Sequence, residues 1–421
     1  MDPALPLPLA VGELDELNRS LLVLGVLLVA GALISGIAHR SFLSLTALFV
    51  LAGFALGEGG VEALDFEAES GFVTTLAVVA LILLLFRDGL DVEAEMLQTA
   101  WRLPLRKLVL AMPITGALVA LAVKALTDLG WTESFLVGAL LSPTDPVLSS
   151  SVVTNPRVPQ VVRHSLNLES GMNDGLALPA VLAFTAALSA GEDDFVWWQF
   201  LLQDVSLGLL TGLVVGYAAG KLLPRVRGLE EDMAPHQKAL YALGVAFAAY
   251  GAAVASPEGN GFIAVFVGAI VLGILRPDVR ECFVARSEDL IELVKLAIFV
   301  VFGSLLTFGT LTGEEWAGVA IAAFTLLVAR PVAVFVALAG TRLDTATKAF
   351  MSWFGPKGVA TMAFSLLVLA EGIAEGRRIF ELAALVVFCS IIAHGLTDVP
   401  GANWIARRSE AAVPLDGPRT T

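Results

Sequence analysis

Two stretches decide how the rest of this chain is interpreted: Leu140-Leu-Ser-Pro-Thr-Asp-Pro146 and Leu168-Glu-Ser-Gly-Met-Asn-Asp-Gly175. They place carboxylates, hydroxyls and an amide inside segments that are otherwise apolar. A carboxylate at membrane depth is costly, so such a group usually marks a functional site. The candidates for binding an ion or a proton, or for supporting such a site, are Thr144, Asp145, Glu169, Ser170, Asn173 and Asp174.

The composition is that of a membrane protein. The chain has 421 residues, of which 57% are hydrophobic and 16% charged, and its mean hydropathy is +0.81. Soluble domains carry roughly 25% charged residues, so the organising unit here is a spanning helix of about 20 apolar residues. The formal net charge of −14 argues against a nucleic-acid partner. The two cysteines lie far apart in the chain and the four histidines form no ligand pattern, so we expect no cofactor.

Apolar segments recur along the whole chain, and thirteen can be distinguished. They lie at about 21–38, 42–57, 72–86, 106–124, 133–153, 161–188, 198–222, 238–255, 261–275, 288–308, 314–339, 345–369 and 378–398. We therefore predict an all-α polytopic membrane protein with thirteen transmembrane helices. Residues 1–400 would form one transmembrane unit, and residues 401–421 would form a short cytoplasmic tail.

The charges in the loops predict the orientation. Most of the 26 basic residues fall in one alternating set of loops, whereas the other set is acidic, as at residues 58–69 and 192–194. Cytoplasmic loops carry the excess of Lys and Arg in membrane proteins. This alternation predicts a multi-pass protein of the cell membrane with its N-terminus outside and its C-terminus in the cytoplasm.

Two of the segments contain residues that break helices. Segment five contains Ser142-Pro-Thr-Asp-Pro146 and segment twelve contains Phe354-Gly-Pro-Lys-Gly358. If segments 1–6 and 8–13 are inverted copies of one unit, these breaks occupy the same place in each copy, which is typical of a transporter's midplane site. Half-helix ends carry partial charges, so Asp145 could compensate a helix N-terminus and Lys357 a helix C-terminus.

Segment six divides its polar groups between two helix faces. At about 100° per residue, Glu169 and Asn173 share one face, and Ser170 and Asp174 share the next. Arg330 is the obvious cation for Glu169 because a guanidinium pairs with a carboxylate through two bonds. Asp174 would then remain free to take a proton or a small cation. Ser170, Thr144 and Asp145 could complete an oxygen shell around Na⁺ at Asp174.

Other charged groups are interpreted as structural. Glu292 and Lys295 lie three residues apart in segment ten, so we expect them to pair along their helix. The sequence Phe86-Arg-Asp-Gly-Leu90 is expected to mark the end of segment three.

The motifs together resemble the sodium–proton antiporters of the NhaP and animal NHE type. The resemblance rests on Thr144-Asp145-Pro146, Glu169-Ser-Gly-Met-Asn-Asp174, Arg330-Pro331 and Phe354-Gly-Pro-Lys-Gly-Val359, and it covers nearly the whole chain. It implies an NhaA/NhaP-like antiporter fold and a homodimer. It also implies that Asp174 binds the ion or proton beside Thr144, Ser170 and Asp145, and that Glu169 and Asn173 both tie to Arg330.

The resemblance also implies a division of labour within the membrane unit. A core domain would comprise about 106–188 and 314–398, and a dimerisation scaffold would comprise about 20–86 and 198–308. The Asn173-Asp174 pair resembles the electroneutral branch of the family, which exchanges one Na⁺ for one H⁺. Lys357 departs from the Arg found in many NhaP-like members, so the positive charge remains but a bidentate contact would be lost.

Three functions can be weighed against these residues. The first is a secondary Na⁺/H⁺ antiporter, possibly carrying Li⁺ or K⁺, that works by alternating access in the lipid bilayer and is not an enzyme. The second is a cation channel or a symporter of another small solute, which requires a continuous pore or a larger polar cavity. The third is an intramembrane aspartyl protease using Asp145 and Asp174, which requires two acids sharing a proton. The compact charged site favours the antiporter.

Overall fold

The computed structural model describes residues 45–67, 70–96, 101–145, 150–191, 195–223, 233–255 and 259–412, together with four isolated positions before residue 45. The regular secondary structure of the described residues is helical, and we number the helices in chain order. They are α1 Leu45–Leu56, α2 Gly71–Met96, α3 Arg102–Leu126, α4 Trp131–Leu140, α5 Ser150–Thr154, α6 Gln160–Ala190, α7 Trp197–Leu222, α8 Pro235–Ala255, α9 Gly261–Leu275, α10 Pro277–Ser304, α11 Phe308–Thr312, α12 Glu315–Ala337, α13 Thr345–Trp353, α14 Val359–Ala370 and α15 Gly376–Ala412.

These helices match the apolar segments. Each of the predicted segments two to thirteen coincides with one helix or with two half-helices, and segment one lies almost wholly outside the described residues. Among the described residues, seven helices are long and apolar enough to cross a membrane, and three shorter apolar helices accompany them. Helix α10 is also long enough, but it is less apolar because Glu288, Asp289, Glu292 and Lys295 lie in its middle. The all-helical membrane fold is thus confirmed.

Two helices extend beyond their predicted ends. Helix α2 continues to Met96, so the expectation that Phe86-Arg-Asp-Gly-Leu90 ends it is wrong. Gly89 serves close helix packing rather than helix termination, since a Cβ there would lie 2.7 Å from the carbonyl oxygen of Phe266 in α9. Helix α15 continues to Ala412, so much of the predicted tail at 401–421 prolongs the last helix.

Helices α3 and α12 each contain a π-helical turn, at Lys107–Ala111 and at Thr325–Ala329. Proline follows each turn within two residues, as Pro113 and as Pro331. A proline removes a backbone donor and crowds the carbonyl four residues earlier, so the helix widens locally to accommodate it. The two turns place Lys107 and Arg330 beside helix α6.

Small residues allow the helices to approach closely. Helix α7 packs along α9, where a Cβ on Gly212 would lie 2.6 Å from the carbonyl oxygen of Ala264. Helix α1 packs along α10, where a Cβ on Gly303 would lie 2.2 Å from the carbonyl oxygen of Val50. Such contacts let helices associate in lipid without a hydrophobic driving force.

Both predicted helix breaks are present. Segment five consists of α4 and α5, and segment twelve consists of α13 and α14. Residues 141–145 and 354–358 carry no helix, and the structure brings these two stretches against each other beside α6. The crossing of the two breaks positions the candidate site.

Candidate ion-binding site

The two breaks are joined by reciprocal hydrogen bonds. The Asp145 amide donates to the Pro356 carbonyl at 2.8 Å, and the Val359 amide donates to Asp145 Oδ2 at 3.1 Å. Val359 is the first residue of α14, so Asp145 places a carboxylate on the N-terminus of that half-helix. The expected helix-end role of Asp145 is therefore present in the structure.

Lys357 performs the opposite role at the other break. Its Nζ donates to the carbonyl oxygens of Pro143 at 3.0 Å and Ser142 at 3.4 Å, just beyond the C-terminus of α4. Its side chain is fully buried. A cation close to these terminal carbonyls compensates the negative end of the half-helix. The prediction for Lys357 thus agrees with the geometry.

The close approach of the breaks requires glycine. A Cβ on Gly358 would lie 2.1 Å from the Asp145 Cβ. A Cβ on Gly355 would lie 1.8 Å from Cζ of Arg330. Real side chains do not approach so closely, so each glycine leaves room for one charged side chain.

Glu169 lies between two cations. Arg330 Nη1 donates to Glu169 Oε1 at 3.1 Å, and Arg330 Nη2 also donates to the Phe354 carbonyl at 3.3 Å. Lys107 Nζ forms an ion pair with Glu169 Oε2. All three side chains are buried. The predicted Glu169–Arg330 pair is present, and it links α6, α12 and the second break.

Asn173 does not join that pair, contrary to what the family resemblance implies. Its Nδ2 donates to the Thr144 carbonyl oxygen at 2.6 Å and to Thr144 Oγ1 at 3.0 Å. Glu169 and Asn173 share a helix face but lie one turn apart, so each contacts a different neighbour. Glu169 contacts α3 and α12, whereas Asn173 orients the first break.

A cavity of about 320 Å³ lies at the crossing, and the four predicted ion ligands Thr144, Asp145, Ser170 and Asp174 all line it. Ser170 and Asp174 face it together, as their spacing of four residues on α6 predicts. The remaining charged lining comes from helices α2 and α10, as Arg87, Asp88, Asp91, Glu288, Glu292 and Lys295.

Asp174 differs from Glu169 and Asp145 in its contacts. Glu169 holds two cations and Asp145 accepts a backbone hydrogen bond. Among the described residues, the side chain of Asp174 makes no hydrogen bond or ion pair, and its carboxylate faces the cavity. Carboxylate, hydroxyl and carbonyl oxygens are the ligands that hard cations prefer. The arrangement can exchange a proton for a small cation at Asp174.

Four functional candidates escaped the sequence reasoning. Asp88 is predicted only as part of a helix end, and Lys107 is not among the predicted site residues, because both lie near the limits of their apolar segments. Lys295 is predicted to pair with Glu292. Among the described residues no ion pair joins the two, and both line the cavity. His394 is one of the four histidines that form no ligand pattern in the sequence, yet it is buried and its Nε2 lies 2.8 Å from the Trp353 carbonyl oxygen. The strongest available signal was the charge density of segment ten.

Comparison with known proteins gives a consistent result. The family described as "Sodium/hydrogen exchanger, transmembrane" matches residues 26–404. The chain is 26% identical over 400 residues to a K⁺/H⁺ antiporter NhaP from Alkalimonas amylolytica, covering 93% of this chain and 68% of that protein. It is 23% identical over 364 residues to a probable Na⁺/H⁺ antiporter 2 from Methanocaldococcus jannaschii, covering 83% of this chain and 84% of that protein.

A solved structure shares the fold. The sodium proton antiporter MjNhaP1 from Methanocaldococcus jannaschii superposes with a TM-score of 0.76 at 20% sequence identity, covering 93% of this chain and 99% of that one. The matched family covers most of the chain, including both breaks and helix α6. The chain therefore belongs to the transmembrane sodium/hydrogen exchanger family, and it is a polytopic monovalent cation:proton antiporter rather than an enzyme.

Proposed function

We propose that this antiporter exchanges Na⁺ for H⁺ at Asp174, one for one, without net movement of charge. The observation that carries the proposal is the environment of Asp174, whose carboxylate faces the cavity with no recorded partner among the described residues. A carboxylate in that position can hold a proton or a cation, but not both. Competition between the two for one group couples their movements in opposite directions.

The polar groups around Asp174 support a monovalent cation. Ser170 and Thr144 supply hydroxyl oxygens, and Asp145 supplies a carboxylate that also caps α14. Asn173, next to Asp174 in the sequence, carries a neutral amide and adds no second charge. This amide donates to Thr144. Exchange of one proton for one monovalent cation at the Asp174 carboxylate moves no net charge, which supports electroneutral exchange. Na⁺ suits this oxygen set, whereas the relatives named K⁺/H⁺ antiporters make K⁺ the competing candidate, with Li⁺ as a further one.

The transport cycle would use alternating access. In this proposal the core at about 106–188 and 314–398 moves against a scaffold at about 20–86 and 198–308, which also forms a homodimer. The cavity lies between elements assigned to the two parts, because α6 belongs to the core, whereas α10 and most of α2 belong to the scaffold. A site between two bodies can open to one side and then to the other. The loop charges support an external N-terminus and a cytoplasmic C-terminus.

The proposal is tested in proteoliposomes that contain a pH-sensitive dye. An imposed proton gradient is followed by addition of Na⁺, Li⁺ or K⁺, with the membrane potential either free or clamped. Wild-type protein should dissipate the gradient on addition of Na⁺, at a rate that does not depend on the clamp. Asp174→Asn should abolish the response. Full activity of that variant would refute the role of Asp174, and a rate that follows the membrane potential would refute one-for-one exchange.

The matched control is Asp204→Asn, which removes a carboxylate in α7 that does not line the cavity. Its exchange rate should match that of the wild type. If only K⁺ gives a response, the protein is still an antiporter, but its transported cation is K⁺ rather than Na⁺.

A further inference from the structure

Lys295 lies in the wall of the ion cavity and carries a positive charge. The proposed exchange at Asp174 gives this lysine no role. Its side chain projects from the middle of α10 into the cavity and is 6% exposed. Within the described ranges of the chain, it has no recorded hydrogen bond or ion pair. An ammonium group buried to this degree is normally paired, so its partner is expected inside the cavity.

The groups opposite Lys295 are carboxylates. Asp174 faces the cavity from α6, and Asp88 faces it from α2. Lys295 lines the same cavity as both carboxylates, so its positive charge acts on both of them, while Arg87 precedes Asp88 in α2 and also lines the cavity. Lys295 is therefore the lysine whose charge reaches the exchanging carboxylate, although it belongs to a different helix from every predicted ligand.

A fixed ammonium in this place resembles the transported cation in charge. When Asp174 is ionised and empty, the positive charge of Lys295 offsets the negative charges of Asp174 and Asp88. When a cation enters, the same positive charge repels it. The repulsion doubles for a divalent cation, because Coulomb energy scales with the charge.

We propose that Lys295 is an affinity-setting residue whose ammonium competes with the transported cation for the carboxylates of Asp174 and Asp88, and which disfavours divalent cations. This inference rests on the proposed exchange at Asp174 and adds a residue to it. It assigns to the scaffold wall a part in cation binding, beside the ligands supplied by the core.

The test compares Lys295→Met with Lys295→Arg in proteoliposomes. Removing the charge should lower the apparent KM for the transported cation by about three- to tenfold, as expected for the loss of one charge near a partly solvated site. Removing the charge should also let millimolar Mg²⁺ inhibit exchange when it is added on the side to which the cavity opens. Lys295→Arg keeps the charge, so its KM should stay within about twofold of wild type. Lys221→Met, in α7 and away from the cavity, is the matched control.

A second measurement covers variants that transport poorly. Cation-dependent thermal stabilisation in detergent reports binding without transport, since a ligand that binds the native state raises its stability. The half-saturating cation concentration should be lower for Lys295→Met and Lys295→Gln than for wild type. An unchanged or higher value in both neutral variants would overturn the inference, as would equal values for Lys295→Arg and Lys295→Met. Failure of the wild type to exchange cations would instead refute the proposed function.

The role of Asp88 gives an independent check on the direction of the effect. Asp88→Asn removes negative charge and should raise the KM, so the double variant Asp88→Asn/Lys295→Met should return towards the wild-type value. If the double variant binds the cation as tightly as Lys295→Met alone, the Asp88 carboxylate takes no part in cation binding. That outcome would contradict the proposed competition at both Asp174 and Asp88.

Discussion

At the scale of single residues, the core is organised around one carboxylate with two cations. Glu169 pairs with Arg330 of α12 and with Lys107 of α3, and all three side chains are buried. Desolvating ions is costly, and an unpaired buried charge costs more than a paired one. The arrangement therefore ties three helices together and depends on at least one cation remaining beside Glu169.

This dependence predicts non-additive effects on stability. Lys107→Met and Arg330→Met each leave Glu169 with one cation, so each should cost about 1–2 kcal/mol of unfolding free energy. The double variant leaves a buried charge without a partner, and its loss should exceed the sum of the single losses. Thermal unfolding of the four proteins in detergent measures the difference.

The control for this cycle removes the charge itself. Adding Glu169→Met to the double variant leaves no buried ion in the group, so most of the lost stability should return. Additive losses in the double variant, with no recovery in the triple one, would contradict the proposed arrangement.

At the scale of helices, the two breaks act as one unit. Asp145 from the first break caps α14 in the second, and Lys357 from the second contacts the carbonyls that follow α4. Each break supplies the charge that the other requires at its half-helix end. The two segments therefore need to be close together, and small residues at the crossing make this possible.

Gly358→Ala should disrupt this crossing. Its Cβ would lie 2.1 Å from the Asp145 Cβ, so the backbone would have to separate and the cap on α14 would weaken. We expect loss of exchange and a lower thermal midpoint, with the exchange measured in proteoliposomes and the midpoint in detergent.

Gly251→Ala is the matched substitution, because nothing lies within 4 Å of the added Cβ in α8. Alanine favours a helix over glycine by about 1 kcal/mol, so this variant should be at least as stable as wild type. Equal exchange by both alanine variants would argue against a tight crossing of the breaks.

At the scale of the whole molecule, the predicted core and scaffold meet next to the site. Gly175 follows Asp174 in α6, and a Cβ there would lie 2.4 Å from the ring of Phe266 in α9. Helix α6 belongs to the predicted core and α9 to the predicted scaffold. If the two bodies slide during transport, the smooth surface at Gly175 lets α6 pass the Phe266 ring.

A larger side chain at this contact should slow the movement. Gly175→Val is expected to reduce the maximal exchange rate severalfold while changing the cation KM little, because the ligands themselves are untouched. Adding Phe266→Ala removes the obstructing ring and should restore part of the rate. A rate that falls further in the double variant would indicate damage to packing rather than obstruction.

Much of this protein could be predicted from local patterns in its sequence. Long apolar segments predict spanning helices, because lipid leaves the backbone no other partners than those within the helix. Prolines and glycines beside charges mark both breaks, and carboxylates inside apolar segments mark the site at Asp174 and Asp145. The spacing of four residues between Ser170 and Asp174 places them on one face of α6.

Only the tertiary structure decided which partner each polar group contacts. Lys107 joins Glu169, Asn173 turns to Thr144 instead of Arg330, and Asp88 and Lys295 reach the ion cavity from α2 and α10. These groups lie near segment ends or among other charges, where their sequence neighbours also allow an ordinary loop or surface role. Helix periodicity sets the face on which a side chain lies, but the packing of distant helices sets what lies opposite that face. That physical difference separates what was predictable here from what required the folded molecule.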